Sequence, residues 1–327
     1  MTGLSDSFQR PINYLRISVT DRCNLRCLYC MPEEGVTLMS HGDILSYEEI
    51  YTVVKAAAGL GINKVRLTGG EPLVRAGLPE LVRLLAQITT IDDISLTTNG
   101  ILLADHAAGL KAAGLRRVNV SLDTLRPERF RQITRCGSLE ETLRGIEAAR
   151  VEGLNPVKIN VVVMAGVNDD ELTDFAARTV NDGWHVRFIE QMPVNGEEPL
   201  ATRLVSVSEM KKRLGSLGTL EPWKVDVGNG PAKYFRLPDA AGTIGFITPV
   251  TEHFCYQCNR LRLTADGKLR LCLLNEDEID LKGPLRSGAS DAELSDIIAR
   301  AIAGKPLGHH LAEGKKRTGR PFSQVGG

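Results

Sequence analysis

The sequence predicts an α/β protein: an incomplete (β/α)6 barrel of the TIM type over residues 1–220, followed by a C-terminal extension over residues 221–327. Three observations predict this fold. Short β-type runs recur along the first part of the chain, segments with helical periodicity separate them, and this repeat stops after about residue 200. Repeated strand–helix units of this length are typical of a parallel sheet with right-handed crossovers. A doubly wound open sheet is the alternative.

Six runs of β type form the predicted barrel strands. They are Leu15–Thr20, Lys64–Thr68, Asp93–Thr97, Arg117–Leu122, Val157–Met164 and His185–Glu190. Between them, Ser46 with Glu49 and Ser138 with Glu141 have the spacing of capping boxes, so each pair predicts the start of a helix. Gly114 stands where one of the intervening helices is expected to end.

Several predicted strands alternate between polar and apolar residues, whereas buried parallel strands are usually continuous apolar runs. Because successive side chains of a strand point to opposite faces, one face of the sheet is apolar and the other carries Arg16, Arg66 and Lys158. Burying these charges without partners is costly. An open lumen that holds a polar, anionic ligand is therefore predicted. An antiparallel sheet with one face in water is the alternative, which long helical crossovers disfavour.

The sequence pattern of the extension differs from that of the barrel. Prolines punctuate its short segments, and a helix is predicted near Asp291–Ala303, ahead of a glycine-containing basic tail.

Composition and charge exclude several classes of function. Lys+Arg and Asp+Glu both number 40, so no global field favours nucleic acid or an anionic membrane. No run approaches the ~20 apolar residues of a membrane span, and the polar N-terminus does not resemble a signal peptide. We therefore expect a cytoplasmic protein, whose seven cysteines are metal ligands or buried thiols rather than disulfides.

The first cysteine group, Cys23, Cys27 and Cys30, follows the first predicted strand. Three thiolates this close in sequence can converge on one iron–sulfur cluster. Three protein ligands leave one iron open, and an open coordination site is where a metal centre does chemistry. The alternative is tetrahedral zinc, with His41 as a fourth ligand.

The second cysteine group comprises Cys255, Cys258 and Cys272. Its spacing suits a zinc ribbon as well as a cluster, with His253 as a possible fourth ligand. The segment 259–262 between these cysteines contains two arginines. Structural zinc does not need arginines nearby, whereas a bound phosphate or carboxylate is commonly held by them. The remaining Cys136 is interpreted as a buried or semi-exposed thiol.

The motifs resemble those of a known family. The first cysteine group, with Tyr29 before its last cysteine, resembles the radical S-adenosylmethionine signature, and residues 68–72 (TGGEP) resemble that superfamily's glycine-rich motif. Segments 254–264 and 267–273 and the closing double glycine resemble the GTP 3′,8-cyclase family, which begins molybdenum cofactor (molybdopterin) biosynthesis. The resemblance runs from about Tyr14 to the last residue. Leu274 departs from it, standing where an aromatic residue is expected.

The resemblance implies a set of ligands. Each cysteine group would hold a [4Fe–4S] cluster, the first binding S-adenosylmethionine and the second facing the guanine of GTP. The residues implied to line S-adenosylmethionine are Tyr29, Gly70, Ser121 and Met192. Those implied to contact GTP are Arg16, Arg66, Thr97, Lys158, Arg260, Leu261 and Arg262. The residues implied to be catalytic are Arg16, Arg66, Lys158 and the tail residues Gly326 and Gly327. The two glycines are included because a tail without side chains can thread into a crowded site.

The resemblance also implies a reaction and partners. A 5′-deoxyadenosyl radical would remove the ribose H3′ of GTP, and the carbon radical would attack C8 of the base. The expected partners are an electron donor, the downstream cyclic pyranopterin monophosphate synthase and a second copy of the chain in a homodimer. Two alternatives stay open: another radical S-adenosylmethionine enzyme with an auxiliary cluster that acts on a peptide, and a zinc-stabilised binding module without catalysis.

Overall fold

The computed structural model describes residues 4–192, 204–224, 230–309 and 320–326. Its strands, numbered in chain order, are β1 (Tyr14–Ser18), β2 (Lys64–Thr68), β3 (Asp93–Thr98), β4 (Arg117–Ser121), β5 (Lys158–Val163), β6 (His185–Glu190), β7 (Glu221–Pro222), β8 (Lys233–Arg236), β9 (Thr243–Ile247), β10 (Arg260–Leu263), β11 (Lys268–Arg270) and β12 (Glu278–Asp280). The six predicted barrel strands are thus confirmed as β1–β6, with ends that differ by at most two residues.

The helices surround these strands. They are α1 (Tyr47–Gly59), α2 (Leu78–Ala86), α3 (Leu103–Ala113), α4 (Pro127–Thr134), α5 (Leu139–Val151), α6 (Leu172–Asn181), α7 (Val207–Leu214), α8 (Lys282–Arg286), α9 (Asp291–Ala303) and α10 (Phe322–Val325). In the described part of the chain, no helix is both long and apolar enough to cross a membrane.

Local sequence signals explain where several helices begin and end. Ser46 and Glu49 form the predicted capping box of α1. The second predicted box forms only by half: the Ser138 hydroxyl accepts from the Glu141 backbone N–H but donates to the Glu140 side chain. Gly114 ends α3 in the left-handed conformation, at φ 110°, as predicted.

The described strands form one sheet in the order β12-β11-β10-β1-β2-β3-β4-β5-β6-β9-β8-β7. Strands β1–β6 are parallel neighbours in chain order, and the helices between them pack on the apolar outer face. The order ends at β12 and β7 within the described residues, so the barrel is incomplete, as predicted.

The extension continues the sheet at both edges. Strand β9 pairs in parallel with β6, and β10 pairs in parallel with β1. The predicted helix Asp291–Ala303 is confirmed as α9, which packs against α1. The division at residue 220 stays a prediction, since strands from beyond it pair directly with barrel strands.

Candidate functional site

A cavity of about 650 Å³ lies inside the incomplete barrel. All six barrel strands contribute side chains to it, and so does the extension. Both cysteine groups line it together with Arg16, Tyr29, Arg66, Gly70, Thr97, Ser121, Lys158, Met192, Arg260 and Arg262. Two cysteine groups that are more than two hundred residues apart in sequence therefore face one space.

The first cysteine group lies on the loop after β1. The backbone N–H of Cys30 donates to the Cys27 carbonyl at 2.9 Å, and that of Leu25 donates to the Cys23 sulfur at 3.4 Å. Burial raises the pKa of Cys23 to about 11 and that of Cys30 to about 12. A bound iron–sulfur cluster would offset this cost, because metal coordination deprotonates a thiol.

Gly70 packs directly against the loop that carries these cysteines. Its N–H donates to the Thr20 carbonyl at 2.8 Å, and a Cβ at this position would lie 2.3 Å from the Arg22 carbonyl oxygen. Only glycine permits this approach. The next residue, Glu71, accepts hydrogen bonds from Asn99 N–H and the Thr98 hydroxyl, both at 2.7 Å. The glycine-rich motif thus places backbone without a side chain, at Gly70, directly beside the first cysteine group, and we call this surface the cradle.

Tyr29 and Asp123 form a buried pair in the same region. The Tyr29 hydroxyl donates to Asp123 Oδ2 at 2.8 Å, and the Val162 N–H donates to Asp123 Oδ1 at 2.8 Å. Burial raises the pKa of Asp123 to about 6. The pair fixes the Tyr29 ring in the cavity wall.

The second cysteine group is surrounded by hydrogen-bond donors and positive charge. Arg260 donates to the Cys258 sulfur at 3.7 Å, and the Leu274 N–H donates to the Cys272 sulfur at 3.5 Å. Burial raises the pKa of Cys258, but Arg260 and Lys305 lower it further, to about 6. Such N–H···S contacts and thiolate character suit an iron–sulfur cluster.

Strand register places four guanidinium-bearing residues in line. Arg16 is aligned with Arg262 of β10 on one side and with Arg66 of β2 on the other. Arg66 is aligned with Ser95, and Ser95 with Arg117. Residues paired in this way point to the same face of a sheet. We call Arg262, Arg16, Arg66 and Arg117 the arginine row.

The positive charges in the cavity lie close enough to repel one another. Burial and the repulsion of neighbouring cations lower the pKa of Arg66 to about 10, that of Arg262 to about 9 and that of Lys158 to about 6. Arg117 differs, since it forms an ion pair with Asp93. A polyanion in the cavity would offset this repulsion.

The chain's C-terminus also reaches this site. Helix α10 places Phe322 and Ser323 in the cavity wall, and the Ser323 backbone hydrogen-bonds to the Cys30 thiol. Gly326 is buried against β1 and β2: a Cβ there would lie 2.8 Å from Thr68 Cγ2. Arg320 anchors the segment through an ion pair of 2.7 Å with Asp266. The segment is therefore docked rather than frayed.

The structure brings together all the predicted site residues except two. The Leu261 side chain is buried in the hydrophobic core and does not line the cavity, because it alternates with Arg260 and Arg262 along β10. Gly327 lies outside the described residues. Cys136 is exposed and donates to the Asn24 carbonyl at 3.3 Å, next to the first cysteine group.

Three further charged residues of the site were not predicted from the sequence. Arg117, Arg187 and Asp123 all line the cavity. Arg187 could have been found, since it alternates with Val186 and Phe188 along β6 in the pattern that identified Arg16.

In the described residues, neither His41 nor His253 is grouped with cysteines as a fourth zinc ligand. Within residues 4–192, 204–224, 230–309 and 320–326, no three His, Cys, Asp or Glu side chains are grouped to hold a single metal ion. His253 lines the cavity and stacks edge-on against His309, with ring centroids 5.8 Å apart.

Two family models match the chain in succession. The model of the radical SAM superfamily matches residues 17–178, and the model described as Molybdenum Cofactor Synthesis C matches residues 184–311. A GTP 3′,8-cyclase from Pelotomaculum thermopropionicum is 57% identical over 326 residues, which cover 99% of this chain and 100% of that protein. The chain belongs to the GTP 3′,8-cyclase family.

Other relatives agree with this membership. The GTP 3′,8-cyclase of Moorella thermoacetica is 54% identical over 99% of this chain and 100% of its own length. As a member of the GTP 3′,8-cyclase family, the chain is a radical S-adenosylmethionine enzyme of molybdenum cofactor biosynthesis. The alternative of a zinc-stabilised, non-catalytic module is therefore wrong.

A solved structure confirms the fold independently. Streptococcus suis SuiB bound to S-adenosylmethionine superposes with a TM-score of 0.58 and 14% identity, over 88% of this chain and 67% of SuiB. At this identity the likeness shows the fold alone.

Proposed function

We propose that the enzyme converts GTP to (8S)-3′,8-cyclo-7,8-dihydroguanosine 5′-triphosphate, the first step of molybdenum cofactor biosynthesis. The proposal rests on the arginine row, which lines the same cavity as both cysteine groups. A triphosphate with a charge of about −4 is the complement of such a row. The names of the full-length relatives support the choice of GTP.

The triphosphate is held by Arg16, Arg66, Arg262 and Lys158. These side chains project into the cavity from four strands that the sheet holds rigidly. The Thr97 hydroxyl is buried and has no hydrogen-bond partner within the described residues, so it is free to bind the ligand. Arg260 approaches from the second cysteine group. Leu261 contributes through its backbone, because its side chain lies in the core.

S-adenosylmethionine and a [4Fe–4S] cluster belong at the first cysteine group. Cys23, Cys27 and Cys30 hold the cluster, and their cost of burial fits thiols that are metal-bound in the active enzyme. Gly70 and Tyr29 line the cofactor, the first through its open backbone and the second through a ring fixed by Asp123. Ser121 and Met192 complete this side of the cavity wall.

A second [4Fe–4S] cluster belongs at Cys255, Cys258 and Cys272. The N–H···S hydrogen bonds at Cys258 and Cys272 fit such a cluster. With one electron from an external donor, S-adenosylmethionine held with the cluster at Cys23, Cys27 and Cys30 would supply the radical chemistry that removes H3′ of GTP. Bond formation between C3′ and C8 would then need one further electron and one proton to give the product.

The protein's own contribution is positioning and exclusion of water. The arginine row fixes the triphosphate, which holds the ribose between the two cysteine groups. Gly326, which is buried beside β1 and β2, contributes to the closure of the cavity, and the role proposed for Gly327 falls on a residue outside the described part of the chain. The chain works with a cytoplasmic electron donor, as a homodimer, and passes its product to cyclic pyranopterin monophosphate synthase.

Ligand protection tests this function against a peptide substrate. GTP should raise the melting temperature of the anaerobically reconstituted enzyme, and this shift should be lost in Arg66→Met. ATP is the matched control, since it carries the same triphosphate on a different base. If neither GTP nor ATP raises the melting temperature while both clusters are present, the peptide alternative is favoured.

A further inference from the structure

Two buried cations outside the arginine row contact the segments that carry the second cysteine group. Lys305, which is 3% exposed, donates from Nζ to the backbone carbonyl oxygen of Arg260 at 3.0 Å and to that of Leu271. Leu271 directly precedes Cys272, and Arg260 lies two residues after Cys258. One ammonium group therefore ties two of the cysteine segments together.

Arg10, also 3% exposed, holds the third cysteine segment. Its Nη1 donates to the Cys255 carbonyl oxygen at 2.6 Å and to the Leu307 carbonyl oxygen at 2.8 Å. Asp6 neutralises Arg10 through an ion pair of 2.6 Å. The neutral Asp6–Arg10 pair thus clamps Cys255 against the segment that contains Lys305.

Among the residues that the structure describes, Lys305 differs from Arg10 in having no carboxylate partner. It forms no salt bridge within the described residues. Burial lowers the pKa of Lys305, and the thiolate forms of Cys258 and Cys272 are the groups that act in the opposite direction and favour its charged form. A buried ammonium group without a counter-charge is costly. Three thiolates on a four-iron cluster leave a net negative charge, which is the missing counter-charge.

We propose that Lys305 and the Asp6–Arg10 pair form a cationic bracket around the second cluster. In it, Arg10 fixes the position of Cys255, and Lys305 supplies positive charge that raises the reduction potential of the cluster. Added electron density is stabilised by a nearby cation, so the reduced form gains more than the oxidised form. Both are positioning residues. The inference rests on the second cluster of the proposed function.

The test uses a background in which Cys23, Cys27 and Cys30 are all changed to Ser, so that only the second cluster gives an EPR signal. Lys305→Met removes the charge and the donors, whereas Lys305→Gln removes the charge but keeps a donor. We expect both variants to lower the equilibrium constant for reduction at least tenfold, which is about 59 mV for one electron. Lys111→Met is the matched control, because Lys111 is exposed and, like Lys305, donates to a backbone carbonyl, that of Gly153 at 2.6 Å. It should leave the potential unchanged.

Arg10→Met tests the positioning half of the bracket. We expect at least fivefold faster loss of iron to a chelator from the second site, while Arg150→Met, at an exposed ion pair with Glu147, loses iron at the original rate. The same substitutions are also made in the chain that keeps all its cysteines. There, a normal spectrum of the first cluster shows that the variant has folded. If the Lys305→Met variant fails to fold, the potential measured for Lys305→Gln alone tests the electrostatic role.

Three results would overturn the bracket. An intact second cluster whose potential is unchanged in Lys305→Gln removes the electrostatic role, and unchanged iron release in Arg10→Met removes the positioning role. Failure of the unmodified triple-serine background to bind any four-iron cluster overturns the second cluster itself, and the bracket with it.

Discussion

The Arg262 guanidinium donates a hydrogen bond of 2.6 Å to the backbone carbonyl oxygen of Gly326. Arg262 lies on β10 and is aligned with Arg16 of β1, so the bond connects the C-terminus to the arginine row. The same segment hydrogen-bonds to the Cys30 thiol through the Ser323 backbone. The described C-terminal segment, residues 320–326, therefore contributes to the cavity wall and contacts both the basic side chains and the first cysteine group.

Gly326→Ala should reduce cyclisation at least tenfold while leaving the iron content of both sites unchanged. The new Cβ would lie 2.8 Å from Thr68 Cγ2, and φ of 77° is unfavourable for alanine. Product formation and iron analysis on the same preparation measure both effects. Gly288→Ala is the control, since Gly288 has φ of 84° but nothing within 4 Å. Full activity of Gly326→Ala, or of a chain lacking residues 326–327, would refute the role of the tail.

Gly70→Ala should abolish S-adenosylmethionine binding and destabilise the first cluster. Its Cβ would lie 2.3 Å from the Arg22 carbonyl oxygen, so the loop of the first cysteine group must shift. We expect about four of about eight irons per chain to remain, because the second site is untouched. Gly59→Ala, where nothing lies within 4 Å, serves as the control. Retention of all the iron and of cofactor affinity would contradict the cradle.

Arg66→Met should weaken GTP binding far more than S-adenosylmethionine binding. Hydrogen bonds to charged groups contribute about 1.5–3 kcal/mol, which corresponds to roughly a 10- to 150-fold loss of GTP affinity. Equilibrium binding of each ligand measures the difference, with the exposed Arg83→Met as control. Equal losses for both ligands would remove Arg66 from the triphosphate site.

At pH 7.5 the protein should take up a proton when it binds GTP. Burial and three nearby arginines lower the pKa of Lys158 to about 6, so in the free protein Lys158 is mostly neutral above pH 6. The bound triphosphate favours the charged form and raises that pKa. Proton uptake should therefore approach one per GTP at pH 7.5 and disappear as the pH falls below 6, where Lys158 is already charged.

Calorimetry in buffers with different ionisation enthalpies measures this uptake. Lys158→Met should abolish it, whereas Lys55→Met, at an exposed ion pair with Asp291, should not. The same uptake in Lys158→Met would assign the proton to another group.

Much of the fold and the first part of the site could be predicted from local patterns. The period-two alternation placed Arg16, Arg66 and Lys158 on the lumen face, because side-chain direction along a strand is a local property. The Ser138–Glu141 box was only half right, since the Ser138 hydroxyl donates to the adjacent Glu140 instead.

The rest of the site depends on contacts between distant segments. The alignment of Arg262 with Arg16 requires β10 to pair with β1 across 246 residues, as the register of Arg16 and Arg262 shows. The Tyr29–Asp123 bond likewise joins residues that are 94 positions apart. Neither the pairing nor the docking of the C-terminus has a local signature in the sequence.

The most direct test of the account is anaerobic reconstitution with S-adenosylmethionine, reductant and GTP deuterated at C3′. We expect GTP-dependent formation of 5′-deoxyadenosine that carries one deuterium, together with a cyclic dihydronucleotide that has lost it. Formation of 5′-deoxyadenosine without deuterium, or at the same rate when GTP is omitted, would contradict it.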